Sequence, residues 1–204
     1  HSAYLNVQTH MQTDADINFN GWTGNDVFDK SADLSFTRMH GGRDGNTTDT
    51  DTMKLSAAGN FDLTAAASKI WDMEVVDVAG NGLANTVSLN ATTLSAITDS
   101  DHKLTILGDT TDGAQVLDTG WAYLGNVDWS GTNLLQYTKS GNTLYAQSNL
   151  NIVPTKNYTG TAGSDTLLDY DGRYIGTFAF GAGTDTLGFA ATGAYNLTTL
   201  SGTV

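Results

Sequence analysis

The chain has no cysteine and a single proline, Pro154, in 204 residues. Without cysteine there can be no disulfide framework, no thiol nucleophile and no cysteine-ligated zinc site. Glutamate is almost as rare, since all of the 22 acidic residues except Glu74 are aspartate. Aspartate favours turns where glutamate favours helices. Together with 23 glycines, these absences predict many short strands joined by glycine and aspartate turns.

Positive charge is scarce as well. Nine Lys and Arg, scattered singly, stand against 22 acids and leave a net charge of −13 at pH 7. Nucleic acids and anionic membrane surfaces are therefore poor partners. No apolar run approaches the roughly 18 residues of a membrane helix, so no membrane insertion is expected. A surface this acidic either keeps the protein in solution or is neutralised by bound cations.

The usual catalytic motifs are also missing. None of the four histidines belongs to a paired HExxH motif, and there is no GxSxG sequence. With 22 acids, a chance pair at the spacing that glycosidases use stays open. We expect that the protein is not an enzyme.

The sequence does contain a partial internal repeat. The segment "TDTMKLSAAGNFDLT", residues 50–64, aligns with "TDTLGFAATGAYNLT", residues 184–198. Upstream of each, "GWTGNDVF" at 21–28 aligns with "GTAGSDTL" at 160–167 in the same order. Each copy therefore contains two glycine and aspartate turns followed by strands.

We interpret residues 1–204 as a single domain, in which the partial repeats 21–64 and 160–198 flank a central β segment, 70–153. Copy one is longer, because five extra residues separate its two turn aspartates. The stretch "RDGNTTD", 43–49, is the natural place for them. Such an insertion is either drift in a solvent loop or a functional elaboration.

The central segment is also predicted to be mostly strands. "IWDMEVVDV" alternates apolar and acidic residues as a half-buried strand does. "LLQYTKSGNTLYAQS" predicts a hairpin around a Ser140-Gly141-Asn142 turn. The best helix candidates, "LTAAASKI" and "ATTLSAI", are short. The prediction is an all-β fold with few short helices.

Turns that combine glycine with aspartate favour calcium binding. Calcium takes six to eight oxygen ligands, which include carboxylates and backbone carbonyls. Glycine permits the positive φ angles that turn carbonyls toward an ion, and aspartate supplies oxygen on a short side chain. An apolar residue two positions after each turn aspartate would anchor the next strand in the core; these are Phe28, Met53, Leu167 and Leu187.

The segments "GWTGNDVF", "GTAGSDTL" and "GAGTDTL" resemble the glycine and aspartate calcium turns of RTX proteins. A tandem nonapeptide array, which would predict a calcium β-roll, is absent. We therefore expect a calcium-stabilised β-sandwich that carries such turns as metal-binding loops.

A longer segment, roughly Gly41–Val153 with a second start at Tyr158, resembles a module of the very large RTX adhesins of Gram-negative bacteria. In particular, it resembles their calcium-dependent peptide-binding domains. The resemblance implies a monomeric, extracellular cell-surface module of a long chain, with several calcium ions. It also implies capture of the C-terminal end of a partner protein, in attachment to cells or surfaces and in biofilm formation.

Carried onto this sequence, the resemblance implies metal-binding acids and a ligand site. The turn acids are Asp26, Asp51, Asp165 and Asp185, and "DSDHKLTILGDTTDGAQ" adds Asp99, Asp101, Asp109 and Asp112. Further metal candidates are Asp44, Asp49, Asp169 and Asp171. The ligand candidates lie instead in the two places where this sequence departs from the family pattern, "RDGNTTDTD" (43–51) and "LLDYDGRYIG" (167–176); they are Arg43, Asp44, Asn46, Asp49, Tyr170, Arg173 and Tyr174. The alternative, that these aspartates are ordinary Asx-turn residues, stays open at this stage.

Two other functions compete with peptide capture. A calcium-dependent lectin would use the same metal positions, with Trp121 or Trp129 as an aromatic platform for a glycan. A structural spacer of the same adhesin would need calcium only for stiffness. Ice binding would predict regular threonine or asparagine ladders, and the sequence has no fixed short period.

Overall fold

The computed structural model describes residues 18–21, 23–30, 33–42, 49–151, 153–169 and 175–189. Strands predominate in these ranges and helices are short, which confirms the all-β prediction. Within the same ranges, no helix has the length and apolar character that crossing a membrane requires.

The described residues between 18 and 116 form a stack of successive coils, here called the N-terminal coil stack. Its strands are β1 (Asn18–Asn20), β2 (Val27–Lys30), β3 (Arg38–His40), β4 (Thr52–Leu55), β5 (Gly59–Asp62), β6 (Ile70–Trp71), β7 (Val75–Asp77), β8 (Asn85–Leu89), β9 (Lys103–Leu107) and β10 (Gly113–Val116). They pair in three parallel ladders, β1–β3–β6, β2–β4–β7–β9 and β5–β8–β10. Each strand thus pairs with the corresponding strand of the next coil.

The core of this stack consists of apolar side chains aligned from coil to coil. Every second residue of a strand points to the same face, so residues in register stack upon one another. One buried row belongs to each ladder: Phe19–Met39–Ile70, Phe28–Met53–Val76–Ile106 and Phe61–Val87–Ala114. Phe28 and Met53 are therefore core residues, as their position after a turn aspartate predicts.

Two short helices lie where the sequence predicts them. Helix α1 (Leu63–Ala66) is capped by Asp62 and followed by a 3₁₀ turn, Ala67–Lys69. Helix α2 (Ala91–Ile97) is capped by Asn90, whose side chain accepts a hydrogen bond from the Thr93 N–H at 2.8 Å. Both caps are the short polar residues that helix N-termini prefer.

An antiparallel meander follows the stack. It consists of β11 (Ala122–Trp129), β12 (Thr132–Lys139) and β13 (Asn142–Gln147). Its two tight turns, Ser130-Gly131 and Ser140-Gly141, have positive φ at both residues, as two-residue hairpins favour. The second turn agrees with the predicted hairpin. Strand β13 also pairs in parallel with β9, which joins the meander to the stack.

The chain then forms a second, smaller set of coils, here called the C-terminal coil stack. Its strands are β14 (Lys156–Thr159), β15 (Thr166–Asp169), β16 (Ile175–Ala179) and β17 (Thr186–Phe189). They pair in parallel as β14–β16 and β15–β17. Leu167 is buried, Leu187 packs against the core beside it, and strands β14 and β15 pack against β11.

The predicted β-sandwich is not confirmed, because strand pairing is parallel everywhere in the described ranges except within the meander. Sandwiches are built from antiparallel sheets. The prediction that "IWDMEVVDV" forms a single strand is also wrong. Asp72, with φ of +50°, turns the chain between β6 and β7, so that the two halves join different ladders.

Candidate functional site

The turn aspartates of the first copy form a ladder of hydrogen bonds from coil to coil. The Asp26 N–H donates to Asp51 Oδ1 at 2.7 Å, and the Asp51 N–H donates to Glu74 Oε2 at 2.8 Å. Each acid stands directly before a strand of the β2–β4–β7 ladder. Asp26 and Asp51 are buried. The carboxylate of one coil therefore accepts from the turn backbone of the coil before it.

A second ladder of the same design lies at the starts of β5, β8 and β10. The Gly59 N–H donates to Asn85 Oδ1 at 3.0 Å, and the Asn85 N–H donates to Asp112 Oδ1 at 3.0 Å. Asp112 is fully buried, and its other oxygen accepts from the Asp109 N–H at 2.9 Å. The Asn85 amide also donates to Asp112, at 3.1 Å. The Asp112 carboxylate thus accepts three hydrogen bonds from two residues, Asn85 and Asp109.

The second copy repeats the first ladder. The Asp165 N–H donates to Asp185 Oδ1 at 2.9 Å, and Asp165 Oδ2 accepts from the Thr161 N–H at 2.7 Å. The Thr186 N–H donates to the Asp165 carbonyl at 2.8 Å, just as Thr52 donates to Asp26 at the same distance. The aligned aspartates of the two copies therefore occupy equivalent structural positions.

The glycines of these turns are required by close packing between coils. A Cβ on Gly21 would overlap the carbonyl oxygen of Gly41, and one on Gly41 would overlap that of Asp72. Gly160 faces the carbonyl of Phe180 in the same way. At each of the three, the side chain of the turn aspartate occupies the remaining space. The pairing of glycine with aspartate is therefore a packing requirement as well as a source of oxygen.

Glu74 stands at the centre of a group of acids. Burial, together with the charges of Asp51, Asp99 and Asp72, raises the pKa of Glu74 to about 8, against the lowering effect of the hydrogen bond from Asp51. Burial, followed by the nearby acids, also raises the pKa of Asp99. A cation placed here would offset the repulsion between these carboxylates.

Asp101 differs from its neighbours because it has a cationic partner. Lys103 Nζ lies 2.7 Å from Asp101 Oδ2. Burial acts to raise the pKa of Asp101, but the hydrogen bonds from Lys103 and Asp99 outweigh it and the pKa is lowered. Asp109 also has a local role, since its carboxylate accepts from the Thr111 N–H and hydroxyl. These contacts are typical of Asx turns.

A cavity of about 350 Å³ opens beside the first ladder. Its lining combines apolar and aromatic side chains with acids and one lysine: Asp49, Thr50, Glu74, Val75, Asp101, Lys103, Thr105, Val127, Asp128, Trp129, Leu134 and Tyr145. Trp129 is 40% exposed, whereas Trp121 is buried and donates its indole N–H to Asp118. Of the two predicted aromatic platforms, only Trp129 is accessible.

The structure brings together only part of the predicted site. Asp49 lines the cavity and accepts a hydrogen bond from the Gly24 N–H at 2.8 Å. Asp169 lies at the end of β15. The remaining ligand and metal candidates in 43–51 and 167–176 fall outside the described residues: Arg43, Asp44, Asn46, Tyr170, Asp171, Arg173 and Tyr174.

Glu74, Asp128 and Tyr145 were not predicted as site residues. The signal for Glu74 was its status as the sole glutamate, at a position where its ladder otherwise uses aspartate. Among the described Asp, Glu and His residues, no group of three is arranged to hold a metal ion as it stands. Calcium binding stays a prediction.

Comparison of the chain with protein-family models, with curated proteins and with solved structures finds no match.

Proposed function

We propose that this protein is a calcium-dependent ligand-binding module of a large RTX-type bacterial adhesin, acting outside the cell in attachment to cells or surfaces and in biofilm formation. One observation carries the proposal: the glycine and aspartate turns that resemble RTX calcium turns stack in register. In each copy the backbone N–H of one turn aspartate donates to the carboxylate of the turn aspartate in the next coil, Asp26 to Asp51 and Asp165 to Asp185.

Several calcium ions would bind along these turns. The hydrogen bonds of the ladders use part of each carboxylate, and an ionised carboxylate has about four lone-pair sites. The acids near Glu74, which are Asp51, Asp99 and Asp72, add negative charge that raises the pKa of Glu74. Calcium binding would therefore remove a repulsion that the fold carries without it.

The ligand that we propose is the C-terminal end of a partner protein. The support is the resemblance of the sequence to peptide-binding modules, together with the position of Asp49 on the wall of a cavity next to the insertion of copy one. The exposed Trp129 in the same cavity favours a second candidate, a glycan-binding module. A spacer would bind neither ligand.

Calcium binding is tested by thermal unfolding in calcium, in magnesium and in a chelator. We expect calcium to raise the midpoint temperature of unfolding, because a site at 100-fold saturation stabilises the folded chain by about 2.7 kcal/mol. The Asp185→Asn variant keeps an acceptor for the Asp165 N–H, removes one charge and should lose part of the calcium increment. Superimposable curves in calcium and chelator would contradict the proposal.

Peptide capture is tested by titrating free-acid peptides and their C-terminal amides in calcium. Binding restricted to the free acids supports a carboxylate contact. Binding of glycans without peptides would replace the first candidate by the second, and equal binding of acids and amides would exclude recognition of a C-terminus.

A further inference from the structure

The chain contains two Asn-Gly sequences, Asn20-Gly21 and Asn81-Gly82. Such a pair has a reactivity of its own, because the backbone nitrogen of the glycine can attack the side-chain carbonyl carbon of the asparagine. The attack closes a succinimide ring and expels ammonia, and water then opens the ring to aspartate or isoaspartate. Glycine favours this reaction because it has no side chain and its backbone is the most permissive. The fold holds the two sequences in different ways.

The sequence Asn20-Gly21 is fixed by strand pairing. Asn20 ends β1, whose backbone is extended and pairs with β3. The Gly21 N–H donates to the His40 carbonyl at 2.8 Å, and Gly21 packs so closely against the Gly41 carbonyl that a Cβ would overlap it. Ring closure at Asn20 would have to break this hydrogen bond and rotate the paired strand. It would therefore proceed only from molecules in which this coil has opened locally.

The sequence Asn81-Gly82 lies in the loop between β7 and β8. Gly82 belongs to no strand and is exposed, as are the two residues that follow it. A Cβ on Gly82 would meet no other atom within 4 Å. The Gly82 nitrogen can therefore move without breaking a strand ladder or a close contact, so the free energy of local opening at this loop is low.

The side chain of Asn81 is already folded over the peptide that would attack it. Asn81 Oδ1 accepts from the Leu83 N–H at 2.8 Å and from the Asn85 amide at 3.3 Å. Negative charge develops on Oδ1 as the Gly82 nitrogen adds to the carbonyl carbon, and donors already directed at that oxygen stabilise the charge. Asn81 Nδ2 is buried and has no hydrogen-bond partner in the described part of the chain. Its departure as ammonia therefore breaks no contact.

We propose that Asn81 is a site of spontaneous deamidation in the folded protein and that Asn20 is protected from it. The Gly82 nitrogen loses its proton and forms a bond to Asn81 Cγ. The Cγ–Nδ2 bond then breaks, and the nitrogen takes up a proton and leaves as ammonia. Water hydrolyses the succinimide to a carboxylate, so each event makes the net charge of −13 more negative by one unit. The reaction is independent of the calcium-dependent function proposed above.

The test follows the intact protein during incubation in a mildly alkaline buffer with chelator. Trypsin then releases residues 1–30 and 70–103, which carry the two Asn-Gly sequences. Tandem mass spectrometry measures deamidation at each asparagine, against a sample taken before incubation. We expect Asn81 to react at least about tenfold faster than Asn20, a difference of about 1.4 kcal/mol in the barrier. The rate at Asn81 should equal or exceed that of a synthetic peptide of residues 79–85.

Two controls separate the effect of the fold from that of the sequence. In denaturant the rates at Asn20 and Asn81 should converge, because both sequences are then free to close the ring. Asn81→Gln should abolish the reaction in fragment 70–103, since the longer side chain does not form the succinimide. Asn20→Gln, the matched variant, should leave the rate at Asn81 unchanged. Thermal unfolding of both variants checks that they fold as the wild type does.

Three results would overturn the proposal. The first is deamidation of Asn20 in the folded protein as fast as that of Asn81. The second is a rate at Asn81 about tenfold or more below that of the free peptide, which would mean that the loop protects it by about 1.4 kcal/mol or more. The third is a difference between the two sites that persists unchanged in denaturant, because the sequence and not the fold would then be its cause.

Discussion

The carboxylate of Asp51 accepts a hydrogen bond at 2.7 Å from the backbone N–H of Asp26, the residue that occupies the same position one coil earlier. Both residues are buried. The contact explains why aspartate recurs at this position even before any metal is considered: its side chain completes the turn of the neighbouring coil.

Replacement of Asp51 should separate this structural role from a metal role. Asp51→Ala removes the acceptor and leaves a buried N–H, which should cost about 1–3 kcal/mol in urea denaturation. Asp51→Asn keeps an acceptor oxygen and should cost less in chelator. If Asp51 ligates calcium, Asp51→Asn will nevertheless lose stabilisation by calcium. Equal stability of both variants in chelator would argue against the ladder bond.

Glu74 should make the protein less stable as pH rises. Its pKa is about 8 in the folded chain against an ordinary value of 4.5. Between these values the folded chain holds a proton that the unfolded chain releases, so this contribution is full below about pH 4.5 and is lost as pH rises toward 8.

Urea midpoints of the wild type and of Glu74→Gln, measured in chelator across this range, check the effect of Glu74. The glutamine amide keeps an acceptor for the Asp51 N–H and does not ionise, so the variant should show a flatter pH dependence. Its relative stability should improve as pH rises. Parallel profiles for the two proteins would show that Glu74 does not titrate as described.

Gly160 and Gly163 give a matched pair within one turn. A Cβ on Gly160 would overlap the Phe180 carbonyl, whereas one on Gly163 would meet only Thr161 Oγ1 at 3.7 Å. Gly160→Ala should therefore destabilise the C-terminal coil stack by about 1–3 kcal/mol. Gly163→Ala should change stability by less than about 0.5 kcal/mol. Hydrogen exchange of β14–β17 amides reports on this region, and equal effects would contradict the close approach of the coils.

Replacement of Asn85 tests the hydrogen bonds of the second ladder. Asn85→Asp would place a carboxylate against Asp112, where the amide now donates at 3.1 Å. Loss of this donor, with two acids in contact, should cost about 1–3 kcal/mol near neutral pH and less in acid, where one of them is protonated. Asn60→Asp, at an exposed position of β5, is the control and should have little effect. Stabilisation of Asn85→Asp by calcium would instead show that a paired-acid site had been created.

The local features of the fold could be predicted from sequence, and its topology could not. The turns, the two helices and the Ser140-Gly141 hairpin depend on residues close together in the chain. The parallel stacking was missed because the interval from coil to coil varies. The two residues that a ladder hydrogen bond joins are separated in the sequence by 20, 23, 25, 26 or 27 positions. Loops at the corners absorb these differences, so no fixed period appears in the sequence.

The cavity shows a second limit of sequence reasoning. Asp49, Asp101 and Trp129 belong to three separate segments, and only the strand order β11–β12–β13–β9–β7–β4 of the sheet brings those segments to one place. Glu74 was overlooked for a related reason, since nothing near it in sequence repeats the glycine and aspartate pattern. Its equivalence to Asp51 appears only when the coils are aligned in space.

The pairing of β13 with β9 sets Thr143 opposite Lys103 and covers the last strand of the β2–β4–β7–β9 ladder. An uncovered parallel strand at this position would offer a row of backbone donors and acceptors to other chains. A truncated protein that lacks the meander should therefore form oligomers or fibres through β9. The meander thus covers the β9 end of the ladder and protects the protein against aggregation by strand addition at that edge.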